Sequence, residues 1–476
     1  MWLLAWLLGG AAVLAGAWLL AAALGRRLVD AAVDRALRRL LTEPYHENLW
    51  ELVTGFGHNP PGPTLENALR ARAGRAIRRP IGTGRRFRDF RGLLFRPAQL
   101  TRRPLEPDEP VDTRVTIGPQ ARRPVHLDIP VLLAAMGYGV AVSERVAVAL
   151  ARGAALAGTA CNAGKGPLLP AVRREARILV VQYTGTPWTS DPAVLRQADM
   201  VEIWFGQGAQ AGLEPTLEPG DVPRQAAEAM GFGDDEVVVL PSGATDRRDA
   251  QTLRRLVHDL RAVTGGVPIG VKLAAGHDLE ADLDVALAAG VDFISLDGAQ
   301  GGTHAAPPIL ADDFGLPTLH ALCRARRHLD ARGTGGRVSL LVGGGLLTPG
   351  DCLKCLALGA DAVYMGTAAL FAATHEQVTR AMPWEPPTEL VWATGVLARR
   401  FDPARGAESL ARFLRAVTDE MVIGARALGK RALRDVNRDD LVALDPETAA
   451  ITGVPLAYGF PAADAPQADP ARRQHG

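Results

Sequence analysis

A repeat of short apolar runs is the feature of this sequence that most restricts its fold. Eight runs occur between residues 127 and 370, each followed by a loop rich in glycine or polar residues and usually then by a helical stretch. Continuous apolar runs that alternate with helices predict buried strands in a parallel sheet covered on its outside. Eight such units predict an α/β fold of the (β/α)8 TIM barrel type, with a doubly wound open sheet as the alternative. The predicted strands cover residues 129–135, 157–161, 177–182, 200–205, 268–273, 291–296, 338–343 and 361–365.

Residues 1–25 are predicted to be a transmembrane anchor. The uncharged run at residues 2–24 would be ~35 Å long as a helix, enough to cross a hydrocarbon core of ~30 Å. No Lys or Arg precedes this run, and the arginines that follow it place the rest of the chain inside the cell. The sequence thus predicts a single-span protein of the inner (plasma) membrane with a cytoplasmic catalytic domain; a buried or interfacial helix is the alternative. The arginines are Arg26, Arg27, Arg35, Arg38 and Arg39.

Four further segments follow the predicted anchor. Residues 26–126 begin as an Arg-rich amphipathic helix and continue as a loop-rich entry region. The barrel is predicted over residues 127–372, a C-terminal helical extension over 373–460 and a disordered tail over 461–476. The connection at 207–246 is longer than a standard loop, so it is expected to cross the mouth of the barrel.

Composition excludes several classes of function. The formal net charge is +1, so no global field favours a nucleic acid as partner. Four cysteines are too few for a disulfide framework in 476 residues, which favours a reducing compartment. The sequence has no H-x-x-H, H-E-x-x-H or carboxylate cluster, so no metal site is predicted. Of the 53 lysines and arginines only four are lysines, so a lysine at a strand end is informative.

The stretch 340–367 predicts a phosphate site. In a (β/α)8 barrel the loops after the strands share one mouth, and phosphate sites often follow the last two strands. Gly343, Gly344 and Gly345 follow the seventh predicted strand, and Gly366 and Thr367 follow the eighth. Such small residues let backbone N–H groups approach an anion closely. Simple tight turns are the alternative.

The C-x-x-C in the same stretch has a different interpretation. Cys352 and Cys355 fall inside a helix that is predicted to begin near Pro349, among several leucines. A redox pair would lie at the helix N-terminus, and a structural zinc would need two further ligands. The two cysteines are therefore predicted to be part of the core.

Polar side chains at the ends of other strands are candidate catalytic groups. Lys272 ends an apolar strand, where it must face an anion or carry a large desolvation cost, and it is a candidate to stabilise negative charge on a reduced flavin. Asp297 and His304 follow the sixth strand and are candidate proton handlers, with an Asx turn and a solvated histidine as the alternative. Gln182 and Gln207 follow the third and fourth strands and suit a flat, multiply hydrogen-bonded heterocycle.

Six motifs in this order resemble the FMN-binding synthase domain of glutamate synthase. They are AAMGYG (134–139), CNAGKGP (161–167), VEIWFGQGAQAG (201–212), PIGVKLAAGH (268–277), DGAQGGTHAAP (297–307) and LALGADAVYMGTAALFA (356–372). The chain is most similar to the membrane-anchored, glutaminase-less form, the FMN-binding glutamate synthase family proteins. The resemblance implies FMN as the cofactor, bound by Met136, Gly139, Asn162, Gln182, Lys272, Gly301, Gly302, Gly343, Gly344, Gly345, Gly366 and Thr367.

Four positions depart from the family motifs. Lys165 replaces a glutamate, Trp204 a lysine, Gly206 a serine and Gln210 a lysine. In glutamate synthase these positions line the region that handles the carboxylates of the 2-oxo acid, so their change weakens the prediction of 2-oxoglutarate as substrate. No cysteine follows Cys355, where the family has its 3Fe–4S ligands, so no iron–sulfur cluster is expected.

The resemblance implies an oxidoreductase acting on CH–NH2 donors. Reduced FMN would pass a hydride to an imino acid formed from a 2-oxo acid and ammonia, in the simplest case from 2-oxoglutarate to glutamate. Lys272, Gln207, Asp297 and His304 are the predicted catalytic residues. The expected partners are a small 2-oxo or amino acid, an electron donor or acceptor of unknown identity, and the membrane. A membrane-associated flavin dehydrogenase of another small acid and an inactive barrel scaffold are the alternatives.

Overall fold

The computed structural model divides into two compact units, Met1–Ile77 and Arg78–Gly476. Side chains at residues 2–13 and 52 are not described. The described residues are 2–45, 50–79, 82–213, 216–233, 236–244, 249–302, 306–378 and 387–458.

The first unit consists of three helices, and it corrects the membrane prediction. The helices are Trp2–Thr42, Trp50–His58 and Pro61–Ala73. Within the described part of the chain, none of the helices combines the length and the apolar character that a membrane crossing needs. The predicted single span is therefore wrong, and so is the predicted membrane location that depended on it.

Eight parallel strands form the centre of the second unit and confirm the barrel prediction. The strands are β1 Val131–Leu133, β2 Ala160–Asn162, β3 Ile178–Tyr183, β4 Met200–Trp204, β5 Ile269–Ala274, β6 Phe293–Asp297, β7 Ser339–Gly343 and β8 Ala362–Met365. The sheet order is β2-β3-β4-β5-β6-β7-β8-β1, so each strand from β2 to β7 pairs with the next along the chain and β8 pairs with β1. This sequential order excludes the doubly wound sheet, in which the order reverses at a switch point. The described residues of β1 and β2 form no ladder with each other, and the Thr159 hydroxyl beside them donates to the Val131 carbonyl over 2.7 Å.

Helices follow the strands and cover the outside of the sheet. Ser143, Asp249 and Thr348 accept backbone N–H groups at the first turns of three of them, which satisfies donors that a helix start leaves open. The helices of this region are Glu144–Ala157, Pro170–Glu175, Pro187–Ser190, Pro192–Leu195, Arg224–Ala229, Ala250–Thr264, Leu279–Ala289, Pro308–Asp313, Thr318–Ala331, Pro349–Ala357 and Thr367–Thr374.

Later helices and several short elements complete the second unit. Helix Pro403–Ala427 packs against Glu144–Ala157 and Thr367–Thr374. The remaining helices are Thr388–Val391 and Pro446–Thr452, with short 3-10 turns at Phe90–Gly92, Gly208–Gln210, Ala398–Arg400, Leu433–Asp435 and Arg438–Asp440. Antiparallel pairs join Leu93–Phe95 with Leu441–Ala443, Val115–Ile117 with Val125–Leu127, and Thr216–Leu217 with Val238–Val239. The last pair lies within the long connection after β4. The predicted tail at 461–476 lies outside the described residues.

The barrel interior changes from apolar to polar along the strands. Ile117, Val125 and Leu127 pack with strand residues such as Phe293 at the amino end, and Gly270 on β5 leaves the room that the Phe293 ring fills. The side-chain period of two then places polar residues on the same inward face toward the carboxyl ends. These residues are Asn162, Gln182, Glu202, Lys272, Ser295, Asp297 and Tyr364. The barrel is therefore plugged at one end and polar at the other.

Neighbouring loops at the carboxyl ends of the strands approach each other backbone to backbone at glycines. A Cβ on Gly166 would collide with the Tyr138 carbonyl oxygen, and a Cβ on Gly137 would lie 2.7 Å from the Gly166 nitrogen. A Cβ on Gly208 would lie 2.5 Å from the Gly298 carbonyl oxygen. No side chain fits at these positions, so glycine fixes the spacing between the loops after β1 and β2 and between those after β4 and β6.

We expect Gly166→Ala to destabilise the protein by about 2 kcal/mol, because its Cβ meets rigid backbone that must move to accept it. Gly84→Ala is the matched control, since Gly84 is exposed and nothing lies within 4 Å of the added Cβ. Urea unfolding of the two variants measures the difference. Equal unfolding midpoints for the two variants would contradict the close approach of these loops.

Candidate functional site

A cavity of about 320 Å³ lies at the polar end of the barrel. Loops after six of the eight strands contribute to its wall, the long connection after β4 among them through Leu217, and β3 and β5 contribute the strand residues Gln182 and Lys272. Most of the predicted site residues share this one cavity. Those in its lining are Met136, Gln182, Gln207, Lys272, Asp297, Gly301, Gly302, Gly343, Gly344, Gly345, Gly366 and Thr367.

The glycine loop after β7 presses against its neighbours so closely that no side chain is possible. A Cβ on Gly343 would lie 2.6 Å from the Asp297 carboxylate, and one on Gly344 would lie 2.7 Å from the Thr318 hydroxyl. Gly344 and Gly345 also have φ values of 116° and 70°, which other residues rarely adopt. Within the described chain the N–H groups of Gly344 and Gly345 have no acceptor, so they can donate to a ligand in the cavity.

The loop after β8 reaches the same cavity from the next strand. Thr367 begins the helix Thr367–Thr374, whose first N–H groups lack intrahelical acceptors. The Thr367 hydroxyl would lie 3.9 Å from a Cβ on Gly302, so the loops after β6 and β8 meet here. Together with the β7 loop, they form a wall of small residues and backbone donors that suits an anion.

Lys272 is the buried cation of the site. It is only 3% exposed, and its Nζ lies 3.2 Å from Asp297 Oδ2 and 5.5 Å from the centre of the Tyr364 ring. Burial by itself lowers the pKa of Lys272, but the carboxylates of Asp297 and Glu202 outweigh this effect and raise the pKa above its ordinary value. The ammonium group therefore stays protonated and lines the cavity beside its acidic partner.

Glu202 holds two amides inside the barrel. Its Oε1 accepts from Asn162 Nδ2 over 2.9 Å and from Gln182 Nε2 over 2.8 Å. Asn162 Oδ1 in turn accepts from the Gly164 N–H over 3.0 Å, which ties the loop after β2 to the barrel interior. Glu202 Oε2 and Gln182 Oε1 are buried, and neither has a hydrogen-bond partner within the described residues.

The departures Lys165, Trp204 and Gln210 form one connected group. Lys165 Nζ lies 3.6 Å from the centre of the Trp204 ring and donates to Gln210 Oε1 over 3.1 Å. The Trp204 indole N–H donates to Gln207 Oε1 over 3.3 Å, and the Trp188 indole N–H donates to the Lys165 carbonyl over 2.8 Å. Lys165, Gln207 and Gln210 line the cavity, whereas Trp204 is fully buried behind them. A cation on an aromatic face is stabilised when it is desolvated.

Three of the predicted site residues are not in the cavity lining. Gly139 packs outside the lining, where an added Cβ would collide with Ala226 and its φ of 78° fits the loop. Asn162 turns its amide NH2 to Glu202 and its carbonyl to the Gly164 N–H. The predicted roles of both residues in cofactor binding stay predictions. His304 lies outside the described residues, so its predicted role as a proton handler stays a prediction.

Sequence reasoning gave no role to Glu202, Tyr364 or Gln300. Glu202 is the one charged residue in the apolar run of β4, and it lies two positions before Trp204. Because alternate side chains of a strand point to the same face, this spacing was a signal that the Glu202 carboxylate points into the barrel. Tyr364 on β8 also faces inward; burial raises its pKa well above the ordinary value, and the Glu202 carboxylate raises it further. Gln300 Oε1 accepts from the Thr318 N–H over 2.8 Å and so ties the β6 loop to the next helix.

The cysteines lie in the core and away from the cavity lining. Cys352 and Cys355 are fully buried in helix Pro349–Ala357, and burial raises the pKa of Cys352 to about 12. Such a thiol is a poor nucleophile and a poor metal ligand. The described residues contain no group of three or more His, Cys, Asp or Glu side chains able to hold a metal ion. The absence of an iron–sulfur cluster stays a prediction.

The chain is similar to glutamate synthases over most of its length. Residues 96–431 match the family model for the conserved region in glutamate synthase. A glutamate synthase large subunit-like protein of Rhizobium meliloti is 34% identical over 407 residues, covering 80% of this chain and 90% of that protein. An archaeal glutamate synthase (NADPH) of Archaeoglobus fulgidus is 31% identical over 401 residues, covering 82% and 76%. A solved (S)-mandelate dehydrogenase mutant is 16% identical with a TM-score of 0.47, covering 74% of this chain and 88% of that one.

We expect Lys272→Met to destabilise the protein by about 3 kcal/mol at pH 8, because it leaves two buried carboxylates without their cation. Adding Asp297→Asn should recover part of the stability, because one of the two stranded carboxylates is then removed. Denaturant unfolding of the wild type, the single variant and the double variant checks both points, and a double variant less stable than Lys272→Met would contradict the pairing.

Proposed function

Because this chain belongs to the glutamate synthase family, we propose that it is an FMN-dependent oxidoreductase that reductively aminates a 2-oxo acid. The first reaction to test is 2-oxoglutarate plus ammonia to glutamate. The observation that carries the proposal is the single cavity that joins the free backbone donors of the glycine loops to the buried Lys272–Asp297 pair.

The described residues fit FMN in three ways. The Gly343–Gly345 loop has no room for side chains and offers N–H donors, which suits a phosphate group. The buried Gln182 Oε1 lacks a donor, which suits a heterocycle with an N–H group. Lys272 supplies a fixed positive charge in the cavity wall, which suits a ring that gains electrons. We therefore assign the phosphate to the loops after β7 and β8, and the ring to the region of Gln182 and Lys272.

The proposed reaction needs proton and charge control from this chain. When bound and reduced by an external electron donor, FMN would supply the hydride. The 2-oxo acid and ammonia first lose water to form an imine, whose carbon then accepts the hydride while its nitrogen takes a proton. Asp297 Oδ2 lies 3.2 Å from Lys272 Nζ at the cavity wall, and we assign Asp297 to proton handling, while the Lys272 ammonium keeps the positive charge there. Lys165 Nζ adds a second positive charge to the lining, and we assign it to the carboxylate of the acid.

A second candidate function is the flavin-dependent dehydrogenation of another small acid. The connected group Lys165, Trp204 and Gln210 supports it, because each of these residues departs from the family motif at the cavity wall or directly behind it. The family cation at position 204 is replaced by an aromatic ring, and the cation now comes from the loop after β2. The choice between the two functions depends on which acid fits this wall.

We expect the purified full-length protein to carry FMN, with Lys272→Met weakening FMN binding or slowing its reduction by about tenfold. The visible spectrum and chromatographic identification of the released chromophore test the first point. Rapid-mixing reduction with NADPH, NADH and dithionite tests the second. A colourless protein that cannot be reconstituted with FMN would overturn the proposal and favour an inactive scaffold.

We expect Lys165→Met to raise the KM for the acid substrate at least about tenfold while kcat changes less, because a charged hydrogen bond to the carboxylate is lost. Lys354→Met is the matched control, since Lys354 donates to the Phe90 carbonyl outside the cavity. Steady-state assays would compare 2-oxoglutarate, pyruvate and other 2-oxo acids with ammonia. An unchanged KM in the Lys165 variant would remove Lys165 from the substrate site.

A further inference from the structure

Glu202 is a carboxylate that sequence reasoning left without a role. It lies in the apolar strand β4, has no exposed surface and is not in the cavity lining. A buried carboxylate is retained only where hydrogen bonds or charges offset its desolvation. Its Oε1 accepts one hydrogen bond from Asn162 Nδ2 and one from Gln182 Nε2, and its charge acts on Lys272.

The charge of Glu202 fixes the orientation of both amides. A carboxylate can only accept hydrogen bonds, so Asn162 and Gln182 must each turn their NH2 group toward it. The carbonyl ends then face elsewhere. Asn162 Oδ1 accepts from the Gly164 N–H, so the protein satisfies both ends of that amide.

Gln182 differs from Asn162 at the carbonyl end. Its Oε1 is buried and accepts no hydrogen bond within the described part of the chain, although Gln182 lines the cavity. A buried acceptor without a donor is costly, and native proteins rarely keep one without a reason. The Glu202 carboxylate therefore orients two amides. The protein itself supplies a donor for the carbonyl oxygen of Asn162, whereas the carbonyl oxygen of Gln182 is left to accept a hydrogen bond from a ligand.

We propose that Glu202 is a positioning residue that keeps Gln182 as a hydrogen-bond acceptor for the N–H group of a heterocycle in the cavity. This inference rests on the proposed function, in which that heterocycle is the flavin ring of FMN. The oxidised flavin ring has one N–H group, at N3. Gln182 Oε1 accepts from N3–H, and Glu202 prevents the amide from turning its NH2 group to the ring instead.

The test compares the binding of FMN and of N3-methyl-FMN, which cannot donate at N3, to the full-length apoprotein. Fluorescence quenching of each flavin gives the two dissociation constants. In the wild type we expect N3-methyl-FMN to bind about tenfold more weakly, as one lost hydrogen bond to a buried acceptor predicts. In Glu202→Gln the new amide can donate to Gln182, which is then free to turn. The ratio of the two constants should fall to within about threefold.

Two further variants separate this role from general damage to the barrel. Gln182→Met removes the acceptor and should also reduce the ratio, so a folded Gln182→Met protein that keeps the tenfold ratio overturns the inference even if Glu202→Gln does not fold. Ser295→Ala is the control, since Ser295 is buried in the same interior but hydrogen bonds to neither Glu202 nor Gln182. It should keep the wild-type ratio.

The outcomes distinguish the inference from the proposed function. Wild-type protein that binds both flavins equally well overturns the inference and leaves the proposed function intact. A folded Glu202→Gln protein that keeps the tenfold ratio also overturns the inference, because the ratio then reflects the bulk of the methyl group. Failure of the wild type to bind FMN at all overturns both.

Discussion

A buried lysine between two carboxylates determines how the polar end of this barrel is built. Lys272 on β5 pairs in register with Trp204 on β4 and Ser295 on β6, and its charge is balanced by Asp297 and Glu202 on the same two strands. A slip of one residue would turn Lys272 out of the barrel and into the apolar layer that Ile269 and Val271 share with the covering helices. The desolvation cost of one cation thus helps to specify the register of three strands.

Glycine makes the rest of the site possible by letting loops touch. The β1 and β2 loops meet at Gly137 and Gly166, and the β6 and β7 loops meet where Gly344 approaches Gly298 and Gly301. These contacts hold Lys165 and Asp297 at fixed places in the cavity wall without any side chain between the backbones. The cavity is therefore shaped by backbone geometry, and its chemistry comes from the few polar groups that the glycines leave uncovered.

The barrel, and the place of most candidate residues in the cavity lining, could be predicted from the sequence because both depend on local patterns. Apolar runs identified all eight strands, and residues at their carboxyl ends, such as Lys272 and Asp297, necessarily share one mouth. The role of Glu202 could not be found this way, since it depends on partners from β2 and β3. Gly139 shows another limit of sequence patterns: its φ of 78° fits the loop, but the residue is not in the cavity lining, so its predicted role in cofactor binding stays a prediction. The membrane prediction relied on the length and hydropathy of one segment and on the arginines after it, and no helix among the described residues is both long and apolar enough to support it.

Three of the four departures from the family motifs, Lys165, Trp204 and Gln210, are better understood as a connected change than as separate losses. Compared with the family motifs, Trp204 replaces a lysine and Lys165 replaces a glutamate. This difference by itself argues that a binding site for the substrate carboxylate has been lost. The structure places Lys165 Nζ directly over the Trp204 ring and beside Gln210. A positive charge is thus kept next to position 204, although it comes from another loop. Substituting either residue alone would leave a cation without its aromatic support or a buried indole without its cation, so we expect their effects on substrate binding to be strongly non-additive.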